Sequence, residues 1–255
     1  MRAGPGIRKA TKLATLPLGL WPPRRPDDVV ILLYHRVGAG EAEIELPQSE
    51  FRRELSYLAR RERVTTLDDV LERGAGGVVL TFDDGTPDFT ERVVPLLERY
   101  RLPATLYLAT RLAESGAGVT WSQLADALTT GLVTIGSHTH SHADLAHATT
   151  GEAIDEMRRS KDLVEDRLGV ACRDFAFPWA VASAPAIRAA REVFRSAALH
   201  AWRTNRGERV DPFALGRIPV LRSDGLFFFR QKVKGRLDGE SVAYRLLRRG
   251  PWERM

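Results

Sequence analysis

Cysteine is nearly absent from this chain, with Cys172 alone among 255 residues. No intramolecular disulfide can form, and no cysteine pair is available for a zinc knuckle. The count does not favour an oxidising compartment, and Cys172 reads as a small core residue near a strand start. Long apolar runs are also missing, since none approaches the roughly 20 residues that span a bilayer. Residues 13–20 are weakly apolar behind a basic start, but Pro17 interrupts a stretch already too short for a signal-peptide core. The expectation is a cytoplasmic protein, or one peripheral at a membrane. No internal repeat is visible and no nucleic-acid-binding motif matches, so nucleic acid is not an expected partner. The oligomeric state is not legible.

What is present suits one large α/β domain. The chain is 44% hydrophobic, enough to bury a full core at this length. Its formal charge of +5 suggests peripheral contact with an anionic membrane or a charged glycan. The excess gathers at the ends, in Arg2, Arg8, Lys9, Lys12, Arg24 and Arg25, and again in Arg230, Lys232, Lys234, Arg236, Arg245, Arg248 and Arg249. Residues 1–27, rich in Gly, Pro and Arg, read as an N-terminal extension. Residues 28–222 read as the domain, and 223–255 as an aromatic and basic helical extension that packs on it.

Within the domain, strand and helix signals alternate. Residues 29–34 are a continuous β-branched apolar strand that delivers His35. A helix is expected over 50–61, a short strand over 64–67, a brief helix over 68–72 and a strand over 77–80 that runs into Asp83 and Asp84. Then come a helix over 87–100 with Pro95 as an irregularity, a strand over 104–109, a helix over 121–128 and a strand over 132–135. Thr149-Thr150-Gly151-Glu152 is a capping-box pattern that opens a long helix closed by Gly169. A strand over 174–179, a helix over 186–194, a strand over 197–200 and an apolar segment over 215–221 complete the pattern. Such alternation argues for parallel β/α units closing as a barrel.

Two adjacent carboxylates at a strand end need a reason, because each raises the cost of ionising the other once hydration is lost. Asp-Asp-Gly by itself is most simply a turn. His138 and His142 change that reading. Four residues apart, they can bring both imidazoles to one point. The zinc-protease pattern fails, because Thr139 stands where a glutamate is required. Two histidines and one carboxylate make a metal site with open positions. The other carboxylate is left to take a proton. The same ligand set also describes non-haem iron oxygenases, but those usually sit on all-β scaffolds and have no use for a second adjacent Asp.

Together, Thr81-Phe82-Asp83-Asp84-Gly85 and His138-Thr139-His140-Ser141-His142 resemble the first two motifs of the polysaccharide deacetylases of carbohydrate esterase family 4, the NodB-homology domain. Phe175-Ala176-Phe177-Pro178-Trp179-Ala180 resembles the third, with Ala180 where the family usually has glycine. Leu33-Tyr34-His35-Arg36-Val37 resembles the opening of the biofilm-exopolysaccharide deacetylase branch. The resemblance covers roughly residues 29–222 and implies a distorted (β/α) barrel of about seven parallel strands. It implies Asp83 as general base and Asp84, His138 and His142 as ligands of a divalent metal, zinc or else cobalt or nickel. His140 falls outside that metal shell. The family's late Leu-x-His motif has no match, because Leu199 and His200 are adjacent, and the early His35 is the candidate acid. Tyr34, Phe177, Pro178 and Trp179 are candidates to contact substrate. Arg217, in a segment resembling a late Arg-Ile-Pro of the same branch, joins them, with a salt bridge and a tuning contact to Asp83 both open.

The activity so implied is hydrolysis of the N-acetyl group of a GlcNAc-type saccharide, polymeric, oligomeric or lipid-linked, with release of acetate. A non-catalytic glycan-binding relative is the alternative.

Overall fold

The computed structural model describes residues 24–38, 40–180, 182–206 and 210–236. The expected extension over 1–27 therefore lies mostly outside the described residues, as does the part of the C-terminal extension beyond residue 236.

Seven parallel strands close into a barrel in the order β1, β4, β5, β6, β7, β8, β9. They are β1 (Val29–Tyr34), β4 (Gly77–Asp84), β5 (Ala104–Leu108), β6 (Val133–Ser137), β7 (Asp174–Ala176), β8 (Ser196–His200) and β9 (Leu215–Pro219). A short parallel pair, β2 (Arg36–Val37) and β3 (Glu45–Leu46), lies beside the end of β1. Closure runs from Ile31–Leu33 of β1 to Arg217–Pro219 of β9.

Side chains alternate across each strand, so two sets of apolar residues form. Val29, Ile31, Val79, Tyr107, Ala176, Ala198 and Leu215 fill the lumen. Val30, Leu32, Tyr34, Leu80, Phe82, Phe175 and Phe177 face outward into the helical layer. This parity decides what reaches the site. Asp83, Arg217 and His200 share the parity of the lumen residues, whereas Tyr34, Phe175 and Phe177 do not.

Several elements differ from expectation for identifiable reasons. Residues 64–67 form no strand, because Thr66 caps the helix Leu67–Arg73 through the Asp69 amide, and Val64 keeps a single bridge to Val78. The expected helix over 87–100 divides into a π-helical turn, Phe89–Val93, and an α-helix, Val94–Tyr100. Pro95 has no amide hydrogen to continue the α pattern. The strand expected over 174–179 stops at Ala176, since Pro178 cannot donate to a ladder and Trp179 adopts φ 58°. The β2–β3 pair and the helix Thr110–Ser115 were not anticipated.

The helices Gln48–Arg61 and Gly225–Val233 are joined to the barrel by a buried polar chain. Tyr34 donates to Glu54 at 3.0 Å, and Lys232 donates to Asp224 at 2.6 Å and to the Pro219 carbonyl at 2.8 Å. Burial pushes the Glu54 carboxyl well above its ordinary range, against the opposing pull of the Tyr34 hydroxyl and Lys232. An acid whose folded pKa is raised binds its proton more tightly in the native state, so its contribution is fully present below the unfolded pKa and is lost as pH rises. Glu54→Gln should therefore match the wild type near pH 4 and exceed it at pH 7, by about 2–4 °C in Tm for each kcal/mol recovered. Thermal melts across that pH range check this. A variant destabilised equally at every pH would mean that ionised Glu54 supports the fold.

Candidate active site

Asp83 and Asp84 part company at a single turn. The Gly85 amide donates to the Asp83 carbonyl at 2.9 Å, closing a three-residue turn whose central residue, Asp84, has φ 72°. Gly85 follows at φ 87°, where an added Cβ would lie 2.4 Å from Leu108 Cδ1, so glycine is required there. The turn leaves Asp83 with the lumen and sends Asp84 toward the loop after β6. Among the described residues six non-glycines have positive φ, and four of them, Asp84, Thr139, His142 and Trp179, belong to the three motif segments. Strain of that kind concentrates where geometry is over-determined by function.

Asp84, His138 and His142 bring their ligand atoms within 4.8 Å of one another. His142 Nε2 lies 3.2 Å from Asp84 Oδ1 and His138 Nε2 lies 3.7 Å from it. That oxygen is buried and makes no well-directed hydrogen bond, an arrangement that suits a cation. His138 Nδ1 contacts the Ala176 carbonyl at 2.8 Å, and the carbonyl can only accept, so Nδ1 carries the hydrogen and Nε2 its lone pair. Burial pushes His138 down to about 4 against the pull of Asp83 and Asp84, which keeps the ring a neutral donor ligand at neutral pH. His140 instead contacts Thr110 Oγ1 at 2.9 Å and stands outside the cluster. Ser141 is fixed by Glu156 through its amide and hydroxyl, which holds the loop in its curl. The donor set fits a divalent metal.

His138 Nε2 also lies 3.7 Å from Asp83 Oδ2, so distance to that histidine does not separate the two acids. Arg217 separates them. It reaches from β9 across the lumen and bonds both oxygens of Asp83, Nη1 to Oδ1 at 2.5 Å and Nη2 to Oδ2 at 2.8 Å. Burial would push Asp83 up, but the charge and bonds of Arg217, with His138 and His35 nearby, hold it below the usual carboxylate range. The guanidinium also sits 5.2 Å from the Tyr107 ring centre. Gly136 leaves the space that ring needs, since a Cβ there would meet Tyr107 Cδ1 at 2.7 Å. Asp84, which is half-buried, is lowered by His142, His35 and His138 rather than by an arginine.

The remaining expected site residues divide by parity and burial. Trp179 is 38% exposed, with its ring edge-on to His142 at 4.7 Å and Nε1 donating to the His142 carbonyl. It forms an open wall beside the cluster. Tyr34, Phe177, Pro178 and Arg217, also expected to contact substrate, are buried. Tyr34 faces outward, stacks on Phe82 and bonds Glu54, and Phe177 packs edge-on against Phe175. Arg217 lies beneath Asp83, so its contact is an ion pair rather than a sugar subsite.

His35 is half-buried where the chain leaves β1, close enough for its charge to lower both Asp83 and Asp84. His200, set aside because its spacing from Leu199 fits no motif, stands at the end of β8, opposite Arg217 in register. It stacks on Trp202 with ring centres 5.4 Å apart, and burial, with Arg217 and His35, pushes it down to about 3.

Comparison with known proteins bears on the family and the fold. Residues 72–194 match the family model described as polysaccharide deacetylase. A Bacillus subtilis protein, YxkH, provisionally named a polysaccharide deacetylase, is 26% identical over 150 residues, 56% of this chain and 53% of that protein. The chain thus spans about half the length of that curated relative. Among solved structures, the Streptococcus pyogenes deacetylase PplD in complex with acetate superposes with a TM-score of 0.74 at 23% identity, covering 82% of this chain and 99% of that one. IcaB from Ammonifex degensii superposes at 0.70 with 21% identity, covering 83% and 97%. The barrel is theirs.

Two measurements probe the site. Excess zinc should raise Tm, because a ligand that binds only the native state stabilises it by mass action. Asp84→Ala should abolish most of that rise, and an unchanged rise would place the ion elsewhere. Arg217→Met should cost about 3–5 kcal/mol by leaving Asp83 buried and unpaired. Adding Asp83→Asn to that variant should recover part of the loss in chemical denaturation, and no recovery would mean that the two side chains are not coupled.

Proposed function

The chain carries a polysaccharide deacetylase domain of the NodB type, and from that premise we propose that it removes the N-acetyl group of a GlcNAc-type saccharide by metal-dependent hydrolysis, releasing acetate. The observation that carries the reading is the division between the adjacent acids, with Asp83 engaged by Arg217 and Asp84 facing two histidine nitrogens.

Asp84, His138 and His142 would hold the divalent ion, with zinc, cobalt and nickel all compatible with the donor set. When bound, such an ion supplies Lewis acidity toward the acetyl carbonyl and lowers the pKa of water. Asp83 accepts the proton of the attacking water. Its ionised form is the one Arg217 maintains, and a base must arrive without its proton. His35 gives a proton to the departing amine. His200, pushed down to about 3, reaches neutral pH without a proton to give, which favours His35 for that step. The half-exposed Trp179 offers a flat wall to a sugar ring. The acetate found with PplD matches the product that this chemistry would leave.

Acetate release from N-acetyl chito-oligosaccharide by the metal-loaded protein tests the reading. Asp83→Asn should lower it by at least about a hundredfold, as expected for loss of a general base, without removing the metal. His35→Gln should lower kcat more than it raises KM. No acetate release by the metal-loaded wild type, with an N-acetyl glycan still bound, would favour a non-catalytic binding protein. Full activity in Asp83→Asn would contradict the mechanism.

A further inference from the structure

An open groove of about 890 Å³ runs between the helix Gln48–Arg61, the helix Gly225–Val233 and Tyr100. Arg52, Arg53, Arg60, Arg61 and Arg230 line it, and no acid does among the described residues. Five guanidinium groups in one groove repel one another and keep a charged surface wet unless something anionic neutralises them. Of two acids just outside, one offsets a groove arginine and the other is engaged elsewhere. Glu50 pairs with Arg53 at 2.8 Å, and Glu62 accepts from Tyr57 and pairs with Arg24 at 3.4 Å. Among the described residues Arg60 bonds its own helix, through Ser56, and Arg230 lies over the Tyr57 ring at 5.1 Å.

An apolar element adjoins this charge. Phe227 is 57% exposed, and Leu226 beside it lines the groove. On the helix Gly225–Val233, Phe228, Phe229, Lys232 and Val233 turn to the core, while Phe227 and Arg230 face outward and the exposed Lys234 follows. The outward face of this helix thus carries one exposed aromatic followed by cations, which can meet an apolar layer and an anionic surface together. The helix starts just beyond the end of β9, at the end of the barrel that carries Asp83 and Asp84, and Ser49 opens the groove at the same end. Outside the described residues, positions 1–23 add four cations and no acid, a charge of the same sign as the groove.

We propose that this arginine groove and Phe227 form a docking face for an anionic phospholipid bilayer, with the guanidinium groups on headgroup phosphates and Phe227 in the interfacial layer. A soluble polyanion would neutralise the arginines but would give Phe227 and Leu226 no apolar layer, which is why the bilayer is the better occupant. The docking face is independent of the catalytic reading.

The test is co-sedimentation of the full chain with phosphatidylcholine vesicles, with and without phosphatidylglycerol. Binding should require phosphatidylglycerol and weaken as salt rises. Arg52→Ser, Arg60→Ser and Arg230→Ser combined should weaken it about a hundredfold, given the increment each basic side chain contributes beside an anionic surface. Phe227→Ser should remove the binding that persists at high salt. Arg60→Glu alone should lower affinity measurably, which keeps the test sharp if the triple variant folds poorly. Three results would overturn the proposal. They are no phosphatidylglycerol dependence, wild-type affinity in the triple variant with an unchanged melt, or binding to heparin without binding to vesicles.

Discussion

The site is organised by the ion pair between Asp83 and Arg217. Two neighbouring carboxylates cannot both ionise in a dry pocket unless each has its own source of positive charge. Arg217 meets that need for Asp83 with two parallel bonds, and it does so from inside the barrel, where a guanidinium is itself expensive to bury. Much of the surrounding sequence accommodates this one side chain. Tyr107 lies against the guanidinium, Gly136 gives Tyr107 its room, and the β1–β9 closure fixes where Arg217 begins its reach. The ion pair also frees the second acid, because Arg217 occupies Asp83 and leaves Asp84 as the carboxylate available to His138 and His142.

The turn at Asp84 makes that separation geometric. Side chains on successive strand residues point to opposite faces, so two adjacent acids on a regular strand would put one in the lumen and one in the helical layer. Ending β4 in a three-residue turn instead rotates Asp84 out of the outward set and into the mouth of the barrel. The strained residues on the facing loops, Thr139, His142 and Trp179, complete the same mouth from β6 and β7. Rigidity here follows from polar anchors behind the ligands, with Ser141 on Glu156 and His138 on the Ala176 carbonyl.

The barrel was legible in the alternation of apolar strands with capped helices, and the acid and histidine segments were legible as a pair. Element ends were less so, since Pro95 and Pro178 redirect the backbone in ways that propensity registers only as irregularity. Tyr34 and Phe177 were proposed for the substrate on their aromaticity alone, without regard to parity. Counting from Val30 and Phe175 would have turned both outward. The contact between Arg217 and Asp83 spans 134 residues, so spacing alone could not disclose it, and only the resemblance of the Arg-Ile-Pro segment raised it, beside a plain salt bridge. His200 stands opposite Arg217 through strand register, which sequence does not display. The arginine groove depends on two helices far apart in sequence, and composition marked only its charge.

The measurement that bears most directly on the divided roles of Asp83 and Asp84 is a crystal structure of the zinc-soaked protein with the ion located by anomalous scattering. The account predicts a single strong peak at bonding distance, about 2.0–2.2 Å, from Asp84, His138 Nε2 and His142 Nε2, with Asp83 still bonded to Arg217 through both oxygens. A peak ligated by Asp83, or one seated away from the two histidines, would contradict it.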